Sequence, residues 1–327
     1  MRIFLAGATG VVGKQLIPLL REAGHVVIGT TRSPDKAEYL RAQGVQPETL
    51  DALDRQATVS AVMRARPDAI VHQLTAIPAN LNLRRFDREF ALTNRLRTEG
   101  TDNLLAAARA AGVRRVVAQS FAGWTYARAG GPVKAEDDPL DPHPPPAFHR
   151  TLAAIRYLEA ALQAAGIETI ALRYGWFYGP GTSLGRGGAV LDAIRRRQLP
   201  IVGSAAGIWS FIHIADAAAA TLAALERGAP GVYNVADDEP APVREWLPFL
   251  ANAFGTPPPR RVPAWLARML IGHHGVVLMT ETRGCSNAKA KAAFAWRLRY
   301  ASWRTGFVDG LGEPRTTMQR LRTRGPE

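Results

Sequence analysis

Ile3-Phe4-Leu5-Ala6-Gly7-Ala8-Thr9-Gly10-Val11-Val12-Gly13 runs an apolar strand straight into three glycines spaced by three. That arrangement suits a chain that must hold a pyrophosphate. Gly7 permits the tight turn out of the strand, Gly10 lets the backbone approach the phosphates, and Gly13 lets the following helix pack closely on the sheet. The helix then opens with unsatisfied amides and the positive end of its dipole facing the anion. Thr9, Val11 and Val12 lie in the same loop and complete the expected cofactor-contacting set.

From Val11 to Ala23 the apolar residues keep helical spacing, and Val26-Val27-Ile28-Gly29-Thr30-Thr31 follows as a second buried strand. A carboxylate at the end of such a strand would grip the ribose 2′-hydroxyl of NAD. Here the residues are Thr31, Arg32 and Ser33. A guanidinium beside two hydroxyls suits a 2′-phosphate, so NADP(H) is expected over NAD(H).

The chain has 327 residues, 47% hydrophobic and 21% charged, which allows a substantial core and gives no sign of disorder. One cysteine, Cys285, excludes an internal disulfide, and no Cys/His cluster has metal-ligand spacing, so no metal is expected. No leader pattern opens the chain and no apolar run is long enough to cross a bilayer; a cytoplasmic protein without membrane contact is the expectation. The net charge is +13, but only five of the 41 basic residues are lysine and arginines are scattered through nearly every segment. With no basic stripe interleaved with aromatics, nucleic acid is not an expected partner. The basic stretch from Arg315 to Arg324 reads as a solvated or frayed helix.

Strand and helix alternate through the first half. Ala57 to Ala65 reads as helix, Ala69 to His72 as strand, Asn94 to Ala111 as helix, Arg115 to Ala118 as strand, Leu152 to Ala165 as helix and Glu168 to Tyr174 as strand. This predicts an α/β fold with a doubly wound parallel sheet, a Rossmann arrangement. Gly130 to Pro146 reads as a long loop at the carboxyl edge of the sheet, where ligands sit. Residues 1–175 are expected to form the dinucleotide-binding domain. Residues 176–327 are expected to be mainly a smaller substrate lobe, with some segments returning to the sheet.

Further segments, in order, resemble the extended short-chain dehydrogenase/reductase superfamily of NAD(P)-dependent epimerases, dehydratases and reductases, over almost the whole chain. Asp51-Ala52-Leu53-Asp54 resembles its adenine-contacting acidic step, and Val71-His72-Gln73-Leu74-Thr75-Ala76 its loop past the cofactor. Asn94 opens a stretch similar to Asn-x-x-Gly-Thr, with an insertion before Thr101. Leu172-Arg173-Tyr174-Gly175-Trp176-Phe177-Tyr178-Gly179-Pro180-Gly181 resembles the strand and loop beside nicotinamide and substrate. The resemblance thereby implies cofactor contacts at Asp51, Ala52, Leu74, Thr75, Ala76, Asn94, Tyr174, Gly175 and Trp176, and a homodimer. Phe211 to Asp216 and Gly231 to Val235 resemble later landmarks, where His213 and Asp216 read as a capping or structural pair rather than catalysts.

One piece is missing. The family's Tyr-x-x-x-Lys pair, which supplies the proton donor, occurs nowhere in this chain. Aligning Glu159 with the family's helix glutamate puts Thr151 and Ile155 at the two positions. Hydride transfer to a carbonyl needs a group that stabilises the developing alkoxide. Ser120, which fits the family's serine, and Tyr126 are the candidate catalytic residues. His149, Arg156 and Tyr174 are further substitutes. An atypical NADP-dependent oxidoreductase with a non-standard proton donor is the leading expectation. A nucleotide-sugar-type epimerase or dehydratase, a silent NADP-binding sensor and a non-redox enzyme stay open. Trp124, Tyr126, Tyr174, Trp176, Phe177, Tyr178 and Trp209 point to a small-molecule substrate with an apolar or aromatic body.

Overall fold

The computed structural model of the protein describes residues 1–78 and 81–312. The basic stretch at 315–324 lies outside them. Seven strands, β1 (Arg2–Ala6), β2 (Val26–Thr31), β3 (Gln46–Thr49), β4 (Ala69–His72), β5 (Arg115–Phe121), β6 (Glu168–Tyr174) and β7 (Gly231–Val235), form one sheet. Its order is β7-β6-β5-β4-β1-β2-β3, and every pairing is parallel. The order reverses between β1 and β4, so the crevice at their carboxyl ends is where a ligand enters such a sheet.

Both faces of the sheet are covered, which is why its strands read as apolar runs. Ile3 and Leu5 of β1 pack on the side of α1 (Val11–Glu22) and of a later helix, Ile214–Arg227. Phe4 and Ala6 alternate to the other side. There they meet α3 (Arg55–Ala65), while α2 (Pro34–Ala42) lies along β2 and β3.

The expected helix from Asn94 to Ala111 is two helices, α4 (Phe86–Arg97) and α5 (Glu99–Ala110), broken at Thr98 with φ −97° and ψ −83°. Thr98 explains the break: its hydroxyl donates to the Asn94 carbonyl at 3.1 Å, competing with the backbone ladder, and Gly100 follows with poor helix propensity. Helix α6 (His149–Gln163) packs on α4 and the sheet.

Beyond β6 the chain builds a second core around Trp246, Trp303, Phe211 and Phe307. Helices α7 (Ala189–Arg195), α9 (Val243–Ala253), α10 (Ala264–Thr280) and α12 (Trp303–Asp309) surround it, together with short strand pairs. Two intervening segments rejoin the sheet: β7 extends its edge beside β6, and α8 (Ile214–Arg227) packs against α1. Helix α11 (Ala288–Phe294) lies on α8 and β7. Among the described residues no helix is long and apolar enough to cross a membrane.

Candidate functional site

At two of the three glycines of the loop, Gly7 and Gly13, nothing larger than hydrogen fits. A β-carbon on Gly7, whose φ is +93°, would sit 2.6 Å from the Gln73 carbonyl oxygen; one on Gly13 would sit 2.4 Å from the Gly7 oxygen and 2.6 Å from that of Ala8. Gly7 donates its amide to Thr30 Oγ1 at 3.1 Å, tying the loop to β2. No side chain caps α1 at Gly10, and Gly10 and Val11 are exposed. The amides opening this helix are left for a ligand, which a pyrophosphate satisfies.

At the end of β2, Thr31 Oγ1 accepts the Ser33 amide at 3.2 Å, and Arg32 is exposed beside it. Asp51 is exposed, its carboxylate accepting the Leu53 amide at 3.0 Å; Ala52 is buried and its carbonyl accepts from Asn103. After β4 the loop is pinned at three points. The Leu74 amide donates to His72 Nδ1, the Leu74 carbonyl accepts from Gln119, and the Ala76 amide donates to Thr93 Oγ1 at 3.0 Å. Thr75 between them is exposed. Burial lowers the His72 pKa to about 4, so its ring is neutral, with Nε2 donating to Thr101.

Asn94 donates to Thr151 Oγ1 at 3.1 Å and, among the described residues, leaves its own buried Oδ1 without a partner. Gln73 likewise keeps a buried Oε1 unpartnered among them. Native proteins rarely leave such acceptors orphaned. Together with the glycine cradle and the uncapped helix, these atoms fit a dinucleotide lying from β2 across β1 and β4 toward α6.

The expected catalytic pair is drawn into one buried network. Ser120 donates to Glu159 Oε1 at 2.6 Å; Arg173 holds both oxygens of the same carboxylate, at 2.8 and 2.7 Å, and also donates to the Tyr126 hydroxyl at 2.9 Å. Tyr126 in turn donates to Asn234 Oδ1 at 2.6 Å. Burial works against the Arg173 charge, but pairing with Glu159 and Tyr126 outweighs it and holds the guanidinium above its usual range. Burial pushes the Tyr126 phenol up. Both hydroxyl protons are thus committed to protein acceptors. Tyr174 is committed as well: its hydroxyl joins Gln73 and Thr221 in the core, and burial pushes it up to about 12. What this residue can offer a ligand is backbone. Thr151 and Ile155, at the positions of the missing pair, are each 1% exposed.

His149 bonds the Pro144 carbonyl and Arg156 the Asp141 carbonyl, so both stabilise the long loop. His213 caps α8, accepting the Ala215 amide, and Asp216 accepts the amides of Arg299 and Tyr300 at 2.7 and 2.9 Å. Both have the structural roles expected of them.

The aromatic residues divide. Tyr174 and Tyr178 are core side chains. Trp176 stacks on Trp209 at 4.3 Å and meets Phe121 edge-on at 5.2 Å; Trp124 stacks on Phe148 at 4.1 Å, and Phe148 touches Phe86. Phe90, Phe121, Trp176 and Phe177 stay partly exposed. Gly175 is required behind this wall, since a β-carbon there would lie 2.5 Å from the Ser210 carbonyl.

Arg97 escaped the reading of the sequence. Because α4 ends before Gly100, counting three residues back from Gly100-Thr101 lands on Arg97 rather than Asn94. The spacing alone, without the insertion, would have found it.

Residues 3–236 match the model of a family described as the NAD dependent epimerase/dehydratase family. A 3-diazoavenalumate denitrifying reductase of a Streptomyces species is 44% identical over 315 residues, 95% of this chain and 99% of that one. A 2-alkyl-3-oxoalkanoate reductase of Stenotrophomonas maltophilia is 32% identical over 79% of this chain and 77% of its own. The Thermus thermophilus UDP-glucose 4-epimerase, solved with NAD, shares the fold at a TM-score of 0.72 and 24% identity, covering 95% of this chain and 98% of that one. Both of these reductases align over most of this chain, and the glycine turn and its surroundings fit a nicotinamide dinucleotide. The chain belongs to the NAD-dependent epimerase/dehydratase family.

Proposed function

We propose that this protein is an NADPH-dependent reductase that replaces the dinitrogen of an aromatic diazo compound with hydrogen. The observation that carries the reading is the pairing of a complete dinucleotide cradle with buried Thr151 and Ile155 where a proton-donating pair would stand. A ketone accepting hydride becomes an alkoxide and needs an acid. An aryl diazonium does not: hydride brings its electron pair to carbon, the carbon–nitrogen bond breaks, and its pair leaves with dinitrogen. The atoms and charges balance without a proton; the neutral ortho-quinone diazide form, receiving hydride at the same carbon and losing dinitrogen, leaves a phenolate whose oxygen takes a proton from water. The bound dinucleotide supplies the hydride. The identity with a reductase named for diazo chemistry supports the same assignment.

In this reading Ser120 and Tyr126 position rather than react. Bonded to Glu159 and Arg173, they hold the strand end and the following segment that carry the pocket wall in register, and the part-exposed Phe90, Phe121 and Trp176 offer π-faces to a flat aromatic body. The purified protein, given NADPH deuterated at the transferable position and an ortho-hydroxyaryl diazonium carrying an unsaturated side chain, should return an arene with one deuterium where nitrogen left. An unlabelled arene, or no product from protein shown to bind NADPH, overturns the reading. Turnover of a 3-oxo acid instead would move the assignment to ketone reduction.

The preference for NADPH rests on Arg32, exposed beside Thr31 and Ser33 with no carboxylate at the strand end. A charge-assisted hydrogen bond contributes about 1.5–3 kcal/mol, so Arg32→Ala should weaken NADPH about 10- to 100-fold and leave NADH unchanged. Equal effects on the two cofactors, measured by titration calorimetry, would refute it.

A further inference from the structure

Arg97 closes α4 with its side chain in the interior, 7% exposed, and among the described residues its Nη1 has no hydrogen-bond partner. Among the described residues no carboxylate pairs with it. Its titration is perturbed by burial alone, which lowers it to about 10. A guanidinium in this state is unusual, because burying a charge without a counter-ion is costly. Its position gives a reason. Arg97 lies one helical turn below Thr93, whose hydroxyl holds the Ala76 amide, and close enough to His72 to bias that ring's titration. His72 pairs in register with Ala6 at the end of β1, and Gln73, the next residue, abuts Gly7. The cation, unpaired among the described residues, therefore neighbours His72 at the strand end that leads into the loop bordering the phosphate cradle.

We propose that Arg97 is an anion-recognising residue of this cradle, its guanidinium taking a phosphate oxygen of the dinucleotide's pyrophosphate. The counter-ion absent from the protein is then the ligand. This rests on the dinucleotide site of the preceding subsection but not on diazo chemistry, so a failed turnover assay leaves it standing. A helix-terminal arginine that only complements the dipole of α4 would behave differently, since it would stabilise the protein without ligand.

Arg97→Met and Arg97→Lys separate these roles through binding and melting rather than turnover. ADP-ribose carries the pyrophosphate without nicotinamide, and adenosine 2′-monophosphate carries the adenosine and its 2′-phosphate without either phosphate of the pyrophosphate. Arg97→Met should weaken ADP-ribose and NADPH about 10- to 100-fold, with adenosine 2′-monophosphate changed less than about twofold. The melting temperature without ligand should hold or rise, because an uncompensated buried charge has been removed. Arg97→Lys should recover part of the ADP-ribose affinity, keeping the charge but losing the planar fork. Unchanged ADP-ribose affinity overturns the proposal, as does a uniform loss across all three probes with a lower melting temperature. A rise confined to the KM of a carboxylated substrate would reassign Arg97 to that carboxylate and overturn it too. Wild-type protein that binds none of the probes would instead fail the dinucleotide site itself.

Discussion

Gly13→Ala should abolish useful cofactor binding, with NADPH affinity falling on the order of 100-fold, equivalent to about 2.8 kcal/mol. The added β-carbon would lie 2.4 Å from the Gly7 oxygen, 2.6 Å from the Ala8 oxygen and 2.7 Å from the Ala8 carbonyl carbon. All three are backbone atoms of the turn that cradles the phosphates, so no side-chain rotation relieves the clash. The helix must lift or the turn must open, and either moves the amides away from the anion. Overpacking of this kind costs about 1–3 kcal/mol, so the melting temperature should fall by several degrees as well. Gly100→Ala provides the contrast. Its β-carbon would meet the Leu96 side chain at an ordinary 3.7 Å, within helix α5. That variant should be as stable as the parent or more so by about 0.5–1 kcal/mol, because alanine is the better helix former. Calorimetric titration and thermal melts of both variants test the pair. NADPH binding by Gly13→Ala at parental affinity would show that the ligand does not use this turn.

How far the sequence carried the interpretation follows from the range of the forces involved. The sheet was legible because its strands are buried on both faces, so Val26–Thr31, Ala69–His72 and Glu168–Tyr174 appear as short apolar runs with the observed limits. Strand β5 was read only to Ala118, since Gln119 and Ser120 look polar; both find half-buried partners, on Leu74 and Glu159, that lie far away in sequence. The break at Thr98 was missed because it depends on one hydroxyl competing for one carbonyl. The same miss hid Arg97, whose significance is the absence of a partner, a property no local pattern encodes. The candidate site divides likewise. Its glycines announce themselves through local geometry, whereas the commitments of Ser120, Tyr126 and Tyr174 arise from tertiary contacts between β5, β6, β7, α6 and α8.

Those commitments lead to the second large effect. Arg173→Met should destabilise the protein by about 3–5 kcal/mol, the range seen when one member of a buried ion pair is removed. Arg173 and Glu159 are joined at 2.7 Å, with side chains 7% and 10% exposed. Losing the guanidinium leaves a buried carboxylate whose remaining donor is Ser120, and it takes one donor from the Tyr126 hydroxyl. The damage should reach the ligand site, because Ser120 belongs to β5 and Tyr126 to the segment that follows, beside Phe121 and Trp124 of the aromatic wall. Removing both charges is a different matter. Arg173→Met combined with Glu159→Leu exchanges a costly pair for apolar packing, and its stability should return to within about 1–2 kcal/mol of the parent. Urea unfolding of the two single variants and the double variant reads this coupling directly as midpoint shifts at constant slope. Additive losses would mean that the pair does not act as a unit. If the double variant regains stability and still binds NADPH, while its turnover of the aromatic substrate falls, then the network's service is to hold the pocket wall in register, which is the role assigned here to Ser120 and Tyr126.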